Sequence, residues 1–390
     1  MKRYAPWLAG LVAVAVVVGA FIVRSGNMYC GTTSLTPEVL EQAEALGARY
    51  LDHHQRHDGR FVAAADWRDD TDVEAHDHSI RQAAALWALA RAYRRTPNPE
   101  LRQAIDEALA FWRDHTTSIG SRTWTVYPDE HFGYVGTSAA LALTHVELIR
   151  ASPSDAAASK KQLQRHAAQI REAQRDDGLF WSAQRVDTGE PFGHPAAEPD
   201  SLALLALVSA AEVLQAEDLR SAALDAALAG HRRYVLEAPV QSEHETADYF
   251  PAAAAAWFSL ADHSGLDDDR HGAWLIDQAV WVTETQKIRG KAQSGKFFEG
   301  IVLAWEWGQR TGDPRARQLS CMLDIGLVRY ISRQVGHPLA QGSAQAASES
   351  DPDFAGGVTG PPSDSPIRLE YVQHLLSAVG STREHYSDGG

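Results

Sequence analysis

Six times along this 390-residue chain a polar or aromatic cluster opens directly onto an Ala/Leu-rich helical pattern, and that recurrence leaves few folds open. The copies begin at His76-Asp-His-Ser-Ile-Arg-Gln-Ala-Ala-Ala-Leu-Trp87, Tyr134-Val-Gly-Thr-Ser-Ala-Ala, Asp200-Ser-Leu-Ala-Leu-Leu, Tyr249-Phe-Pro-Ala-Ala-Ala, Phe298-Glu-Gly-Ile-Val-Leu and Glu370-Tyr-Val-Gln-His-Leu-Leu. Taking His78, Tyr134, Asp200, Tyr249, Phe298 and Glu370 as markers, subtraction gives intervals of 56, 66, 49, 49 and 72 residues. That is about the length of a helical hairpin with its loops, so the repeat is the first constraint on the fold.

An amphipathic segment precedes each of these helices. The first starts at Thr36-Pro-Glu, a capping residue followed by Pro at the first helical position, and buries Val39, Leu40, Ala43, Leu46, Tyr50 and Leu51 along one stripe. The others run from Pro99 to His115, from near Ser159, from Asp218 to Leu236, from Arg270 to Lys287 and from Pro314 to Gln334. The first ends in Gln55-Arg-His-Asp-Gly-Arg-Phe61, and Gln174-Arg-Asp-Asp-Gly-Leu-Phe-Trp181 repeats that ending, with Asp-Gly supplying the turn. Six outer and six inner helices, each hairpin covering its neighbour's apolar face, predict an all-α (α/α)6 toroid; an open solenoid is the alternative. The loops before the inner helices are long and polar, at Ser121 to Gly133, Ser182 to Pro199 and Gly336 to Pro366, whereas Arg95-Thr-Pro-Asn-Pro and Arg310-Thr-Gly-Asp-Pro on the opposite side are short. Long loops on one face mark the functional side. The Gly, Ser and Pro content of the last span predicts partial disorder.

One transmembrane helix is expected before the toroid. Residues 5–23 form an uncharged run close to the ~20 residues that cross a hydrocarbon core. Lys2 and Arg3 favour a cytoplasmic N-terminus, which puts the remainder in the periplasm or outside the cell, although Arg24 weakens that bias. A cleaved signal peptide is the competing reading. The resulting division is an anchor at 1–30, the toroid at 31–380 and a flexible tail at 381–390. A charge of −15, from 36 basic and 51 acidic residues, argues against nucleic acid as a partner. Cys30 and Cys321 have no CxxC spacing and are read as offering no disulfide framework.

Trp87 and its helix, the paired Gln-Arg-x-Asp-Gly turns, Asp248-Tyr-Phe-Pro-Ala252 and Arg368-Leu-Glu-Tyr-Val-Gln-His374 resemble the bacterial toroid proteins of the six-hairpin glycosidase type. The likeness covers about residues 36 to 380 and extends to the helical domain of glucuronyl epimerases and to terpenoid-cyclase-like toroids. Members of that superfamily tend to read Tyr-Pro-Gly-Glu where this chain has Phe250-Pro-Ala-Ala253, a departure that removes a carboxylate. Prenyltransferase- or lanthionine-cyclase-like zinc chemistry is set aside, because neither cysteine has a suitable His nearby in sequence.

In a toroid the N-terminal ends of the inner helices meet in a funnel. The side chains expected there are Asp77, His78, Arg81, Glu130, His131, Tyr134, Asp248, Tyr249, Glu299, Arg368, Glu370, Tyr371 and His374. Carboxylates, imidazoles, tyrosines and arginines together suit general acid and base work on a glycan or uronic-acid-containing polymer, by hydrolysis, elimination or epimerisation, with no cofactor. Glu299, between Phe298 and Gly300, is expected as the proton donor, because an apolar setting raises a carboxyl pKa; Tyr249 and His78 join it as catalytic candidates. Asp77, Arg81, Glu130, Tyr134, Asp248, Arg368, Glu370, Tyr371 and His374 are expected to bind substrate. Plainer readings stand beside these: Asp77 and Asp200 as helix caps, Arg368 and Glu370 as an ion pair closing the ring, and His53, His54, His57, His76 and His78 as bystanders rather than metal ligands. A non-catalytic glycan- or partner-binding envelope protein is the rival class, with a terpenoid-type cyclase behind it.

Overall fold

The computed structural model describes residues 35–68, 71–73, 77–119, 122–128, 130–238, 242–262, 270–286, 295–360 and 366–386. The chain is mostly helical there. The outer helices are α1 (Pro37–His53), α3 (Pro99–Asp114), α5 (Ala157–Glu172), α7 (Glu217–Gly230), α9 (Arg270–Thr285) and α11 (Ala316–Ile331). The inner ones are α2 (Ser79–Arg95), α4 (Val135–Ala151), α6 (Ala197–Leu214), α8 (Glu243–Asp262), α10 (Gly295–Thr311) and α13 (Leu369–His385). A short α12 (Ser343–Ser350) lies in the last long loop, where disorder was expected, and Ala344, Ala347 and Phe354 anchor it in the core.

The inner helices close a circle. α2 packs on α4, α4 on α6, α6 on α8, α8 on α10, α10 on α13, and α13 returns to α2. An open solenoid is thereby excluded. Every residue from Val135 to Ile149 of α4 is buried, as a helix surrounded on all sides must be. Small residues set the spacing: a Cβ on Gly300 of α10 would come within 2.7 Å of the Phe250 ring and 2.8 Å of Ala254 on α8.

The twin turns show what their sequence is for. Gln55 Nε2 donates to Gly59 O at 3.0 Å and to Ala104 O of α3 at 2.9 Å. Gln174 Nε2 donates to Gly178 O at 3.2 Å and to Ala222 O of α7 at 2.9 Å. Each turn therefore clamps the next outer helix. Gly59 (φ +92) and Gly178 (φ +88) occupy the left-handed region, and a Cβ there would lie 2.5 Å from Glu107 O and 2.8 Å from Asp225 O. A third clamp closes the ring: Gln334 Nε2, after α11, donates to Ala43 O of α1 at 2.8 Å and to Gly356 O at 3.3 Å.

Short strands strap the funnel-side loops. β1 (Ala64–Asp66) pairs with β2 (Thr71–Asp72) and with β8 (Ile367–Arg368), so the first and last hairpins are joined on this face too. β3 (Thr116–Ile119) pairs with β4 (Arg122–Thr125), and β6 (Ala183–Arg185) lies between β5 (Phe132–Tyr134) and β7 (Pro191–Phe192).

Three sequence expectations change or fall outside this description. α13 runs on to His385 with Ser381 and Thr382 buried, so residues 381–385 belong to the ring rather than to a flexible tail. Cys321 in α11 is disulfide-bonded, against the reading that neither cysteine takes part in one; the chain's other cysteine, Cys30, lies outside the described residues. The expected anchor at 5–23 also lies outside them, and among the described residues no helix is long and apolar enough to cross a membrane.

Candidate active site in the ring

The inner helices place a cavity of about 280 Å³ on the funnel side of the ring. Arg81 and Trp87 reach it from α2, Glu198 from the first turn of α6, His244 and Asp248 from α8, Lys296 and Glu299 from α10, and Glu370, Gln373 and His374 from α13. Residues as far apart in sequence as Arg81 and Ser377, 296 positions, thus meet because helix order around the ring brings the last hairpin beside the first.

Most of the charges here are paired. Arg81 Nε lies 2.9 Å from Glu370 Oε2, and Lys296 Nζ donates to Asp248 Oδ1 at 2.6 Å. His244 Nδ1 lies 3.1 Å from the other Asp248 oxygen, an arrangement in which a carboxylate orients an imidazole. One turn below Trp87, Arg91 Nη1 donates to Glu299 Oε1 at 2.6 Å and Nη2 to Ser381 Oγ at 2.9 Å, forming the cavity floor. Glu198 is different. Among the described residues its carboxyl has neither ion pair nor hydrogen bond, and it stands in the solvent of the cavity with protein around it. Glu198 is exposed to the cavity, and the protein packed around it still raises its pKa against the opposing pull of Lys296, with Asp248 and Glu370 adding to the rise. His374 is driven the other way: burial, then the nearby charges of Lys296 and Arg81, push its imidazole down to about 3. It is neutral at physiological pH.

The structure brings five expected site residues into the lining: Arg81, Asp248, Glu299, Glu370 and His374. Glu299 does not occupy the apolar mouth that its flanking aromatics suggested. It is the floor, held by the buried Arg91 guanidinium at 2.6 Å.

Tyr249 is turned away from the cavity, 1% exposed, stacked on Tyr234 at 4.8 Å. One residue is about 100° of helix, so Asp248 faces the ring's centre while Tyr249 faces the outer layer. Asp77, His78, Glu130 and Tyr134 gather beside the cavity without lining it. Asp77 accepts from Tyr127 Oη at 2.6 Å and Gln82 Nε2 at 2.8 Å, and His78 Nδ1 caps α2 through Ile80 N at 3.2 Å with its ring 5.6 Å from Tyr134. Both serve the loop. Glu130, pushed up to about 7 by burial, and Tyr134, raised by burial and by Glu130, belong to the same group. Arg368 lies over the Tyr371 ring at 5.7 Å, and Tyr371 O accepts from Tyr330 Oη at 2.9 Å. Both shape the wall behind Glu370.

Sequence reasoning missed Glu198, Lys296 and His244 as site residues. It took Asp200 as the marker of α6, but Asp200 accepts from Tyr234 Oη at 2.7 Å on the outer side, two residues and about 200° from Glu198. The acidic pair in the first helical turn was the available signal.

No protein-family profile matches the chain, and no curated protein matches it by sequence. Solved structures do match, at low identity and over almost the whole length. The cellobiose 2-epimerase from Spirochaeta thermophila superposes with a TM-score of 0.58 at 16% identity, covering 90% of this chain and 98% of that one. An unsaturated glucuronyl hydrolase specific for heparin gives 0.61 at 11%, covering 89% and 97%. The α-1,6-mannanase from Salegentibacter gives 0.58 at 11%, covering 88% and 98%. The fold of this chain is therefore that of the six-hairpin glycosidase-like (α/α)6 toroids.

Proposed function

We propose that the protein is a glycan-active enzyme that transfers protons to and from a saccharide held in the ring cavity. The observation that carries this reading is Glu198, an unpartnered carboxyl of raised pKa in a cavity whose other charges are paired. Glu198 is the proton donor. His244, oriented by Asp248, is the acceptor, and neutral His374 hydrogen-bonds the substrate without adding charge. Hydrolysis, elimination and epimerisation all need such a donor opposed to an acceptor. Three structural neighbours with different carbohydrate reactions support the substrate class.

The setting is extracytoplasmic, with residues 5–23 as the membrane anchor. The uncharged run beside Lys2 and Arg3 supports the anchor, and the Cys321 disulfide supports an oxidising compartment. Fractionation of the intact chain checks this part: recovery from the soluble fraction with Met1 still present rejects it.

The chemistry is tested by screening the full chain against neutral and acidic oligosaccharides, then comparing Glu198→Gln on any substrate it converts. Loss of about 10²-fold or more in turnover is expected for a general acid. Full activity in Glu198→Gln would overturn the assignment. Binding without turnover in either form would make the protein a recognition module.

A further inference from the structure

The chain enters the ring on the face opposite the cavity. Inner helices run from the funnel face to the closed one, and outer helices run back from short connections there, at 96–98, 152–156, 215–216 and 312–315. α1 is an outer helix, so it too begins on the closed face. Arg383, near the end of α13, grips Glu44, and the Thr36 cap of α1 lies eight residues, about 12 Å of helix, further out on that side. Cys321 is also on the closed side: Ser320 Oγ and Asp324 Oδ1, which flank it, meet the Tyr386 hydroxyl just past α13 at 3.2 and 2.7 Å. Cys321 is disulfide-bonded, and the chain's one other cysteine is Cys30, which stands between the uncharged run at 5–23 and the start of α1.

From this we propose that Cys321 pairs with Cys30, and that the ring stands with its closed face toward the membrane and its cavity opening away from it. The proposal rests on residues 5–23 being the anchor. Cys30 comes seven residues after Val23, which the chain can span with at most about 25 Å. Cys321 is five residues into α11, about 7.5 Å from the closed-face end of that helix and about 15 Å from Ile331 at its funnel end. A bilayer on the closed face is therefore within reach of a slack connector. On the funnel face it would lie beyond the whole remaining length of α11 and beyond the strand straps, which uses up most of the connector. The cavity then draws its saccharide from the aqueous side, out of reach of glycans carried on lipids of the same bilayer.

Two measurements on the full chain in lipid vesicles test this. A non-reducing digest should yield one peptide pair that joins Cys30 to Cys321; Cys321 joined to a second copy of itself would overturn the pairing. Energy transfer to an acceptor-labelled lipid reads the orientation, with a donor dye carried on a noncanonical residue either at Pro314, on the closed face, or at Thr188, in the exposed turn between β6 and β7. Transfer should be higher from 314 than from 188, and the difference should shrink in Cys30→Ser. Equal transfer from the two positions, or more from 188, would overturn the orientation while leaving the anchor reading standing. A chain that stays in solution, with no transfer from either position, would overturn both.

Discussion

The two faces of the ring use the same residue types to opposite ends. On the funnel face, charges pair around a space and leave Glu198 unpartnered. On the other face, they pair into one connected cluster. Glu44 of α1, 3% exposed, is gripped by Arg95 from α2 and Arg383 from α13; Glu384 meets Arg94 and Arg95, and Arg94 Nε lies 2.5 Å from Glu147 of α4. Burial opposes the Glu384 charge, but Arg91, Arg95 and Arg94 outweigh it and hold that carboxyl at about 2. Whether a charge around this ring is left open to a ligand depends on whether its partners are complete. Arg91 and Glu299 form the boundary, completing the closed face while flooring the open one.

Four substitutions separate the faces, the largest expected effect first. Glu198→Gln should lower turnover by about 10²- to 10⁴-fold, measured as kcat on a converted substrate, with the melting temperature almost unmoved. Glu44→Ala should do the reverse. Removing one partner of a buried ionic cluster costs about 3–5 kcal/mol, read by chemical denaturation, while turnover per folded molecule stays the same. A Glu44→Ala protein of normal stability and poor turnover would erase the distinction between the faces.

Cys321→Ser should cost about 2–5 kcal/mol by loss of its disulfide, again without affecting kcat. Asp200→Asn is the mildest. Burial raises the Asp200 carboxyl to about 7 in the fold, above its unfolded value near 4. The folded state therefore holds a proton that the unfolded state releases, and stability declines as pH rises from about 4 through about 7. Asn keeps the Tyr234 bond without titrating, so its melting temperature should fall less across that window. The Glu384 contribution has the opposite sign: it is complete above the unfolded carboxylate value and is lost as pH falls toward about 2.

The architecture was legible because inner and outer helices carry different compositions, and a chain of six such pairs can bury its apolar faces by closing. The Gln55 and Gln174 turns were legible as a repeat because each glutamine and its glycine are four residues apart, while their hold on the next outer helix was not. The third was not: Gln334 reaches Gly356 across 22 residues that include α12, so no local motif survives. Site residues were harder for a rotational reason. Composition tells where an inner helix begins only to within a residue or two, and at about 100° per residue that uncertainty exchanges Glu198 for Asp200 and Asp248 for Tyr249. The Cys321 disulfide was hidden because cysteine pairing follows spatial neighbours, and spacing alone carries no trace of it.

The Gln334 clamp and the packing of α13 on α2 also fix when the protein can work. Glu370, Gln373 and His374 come from the final helix, and Glu198 from the third hairpin. A chain still emerging from the ribosome lacks the part of the cavity wall that the last helix supplies, and has no closed ring. The cavity is complete only once the C-terminal helix has packed between its neighbours, so a nascent copy has no finished site.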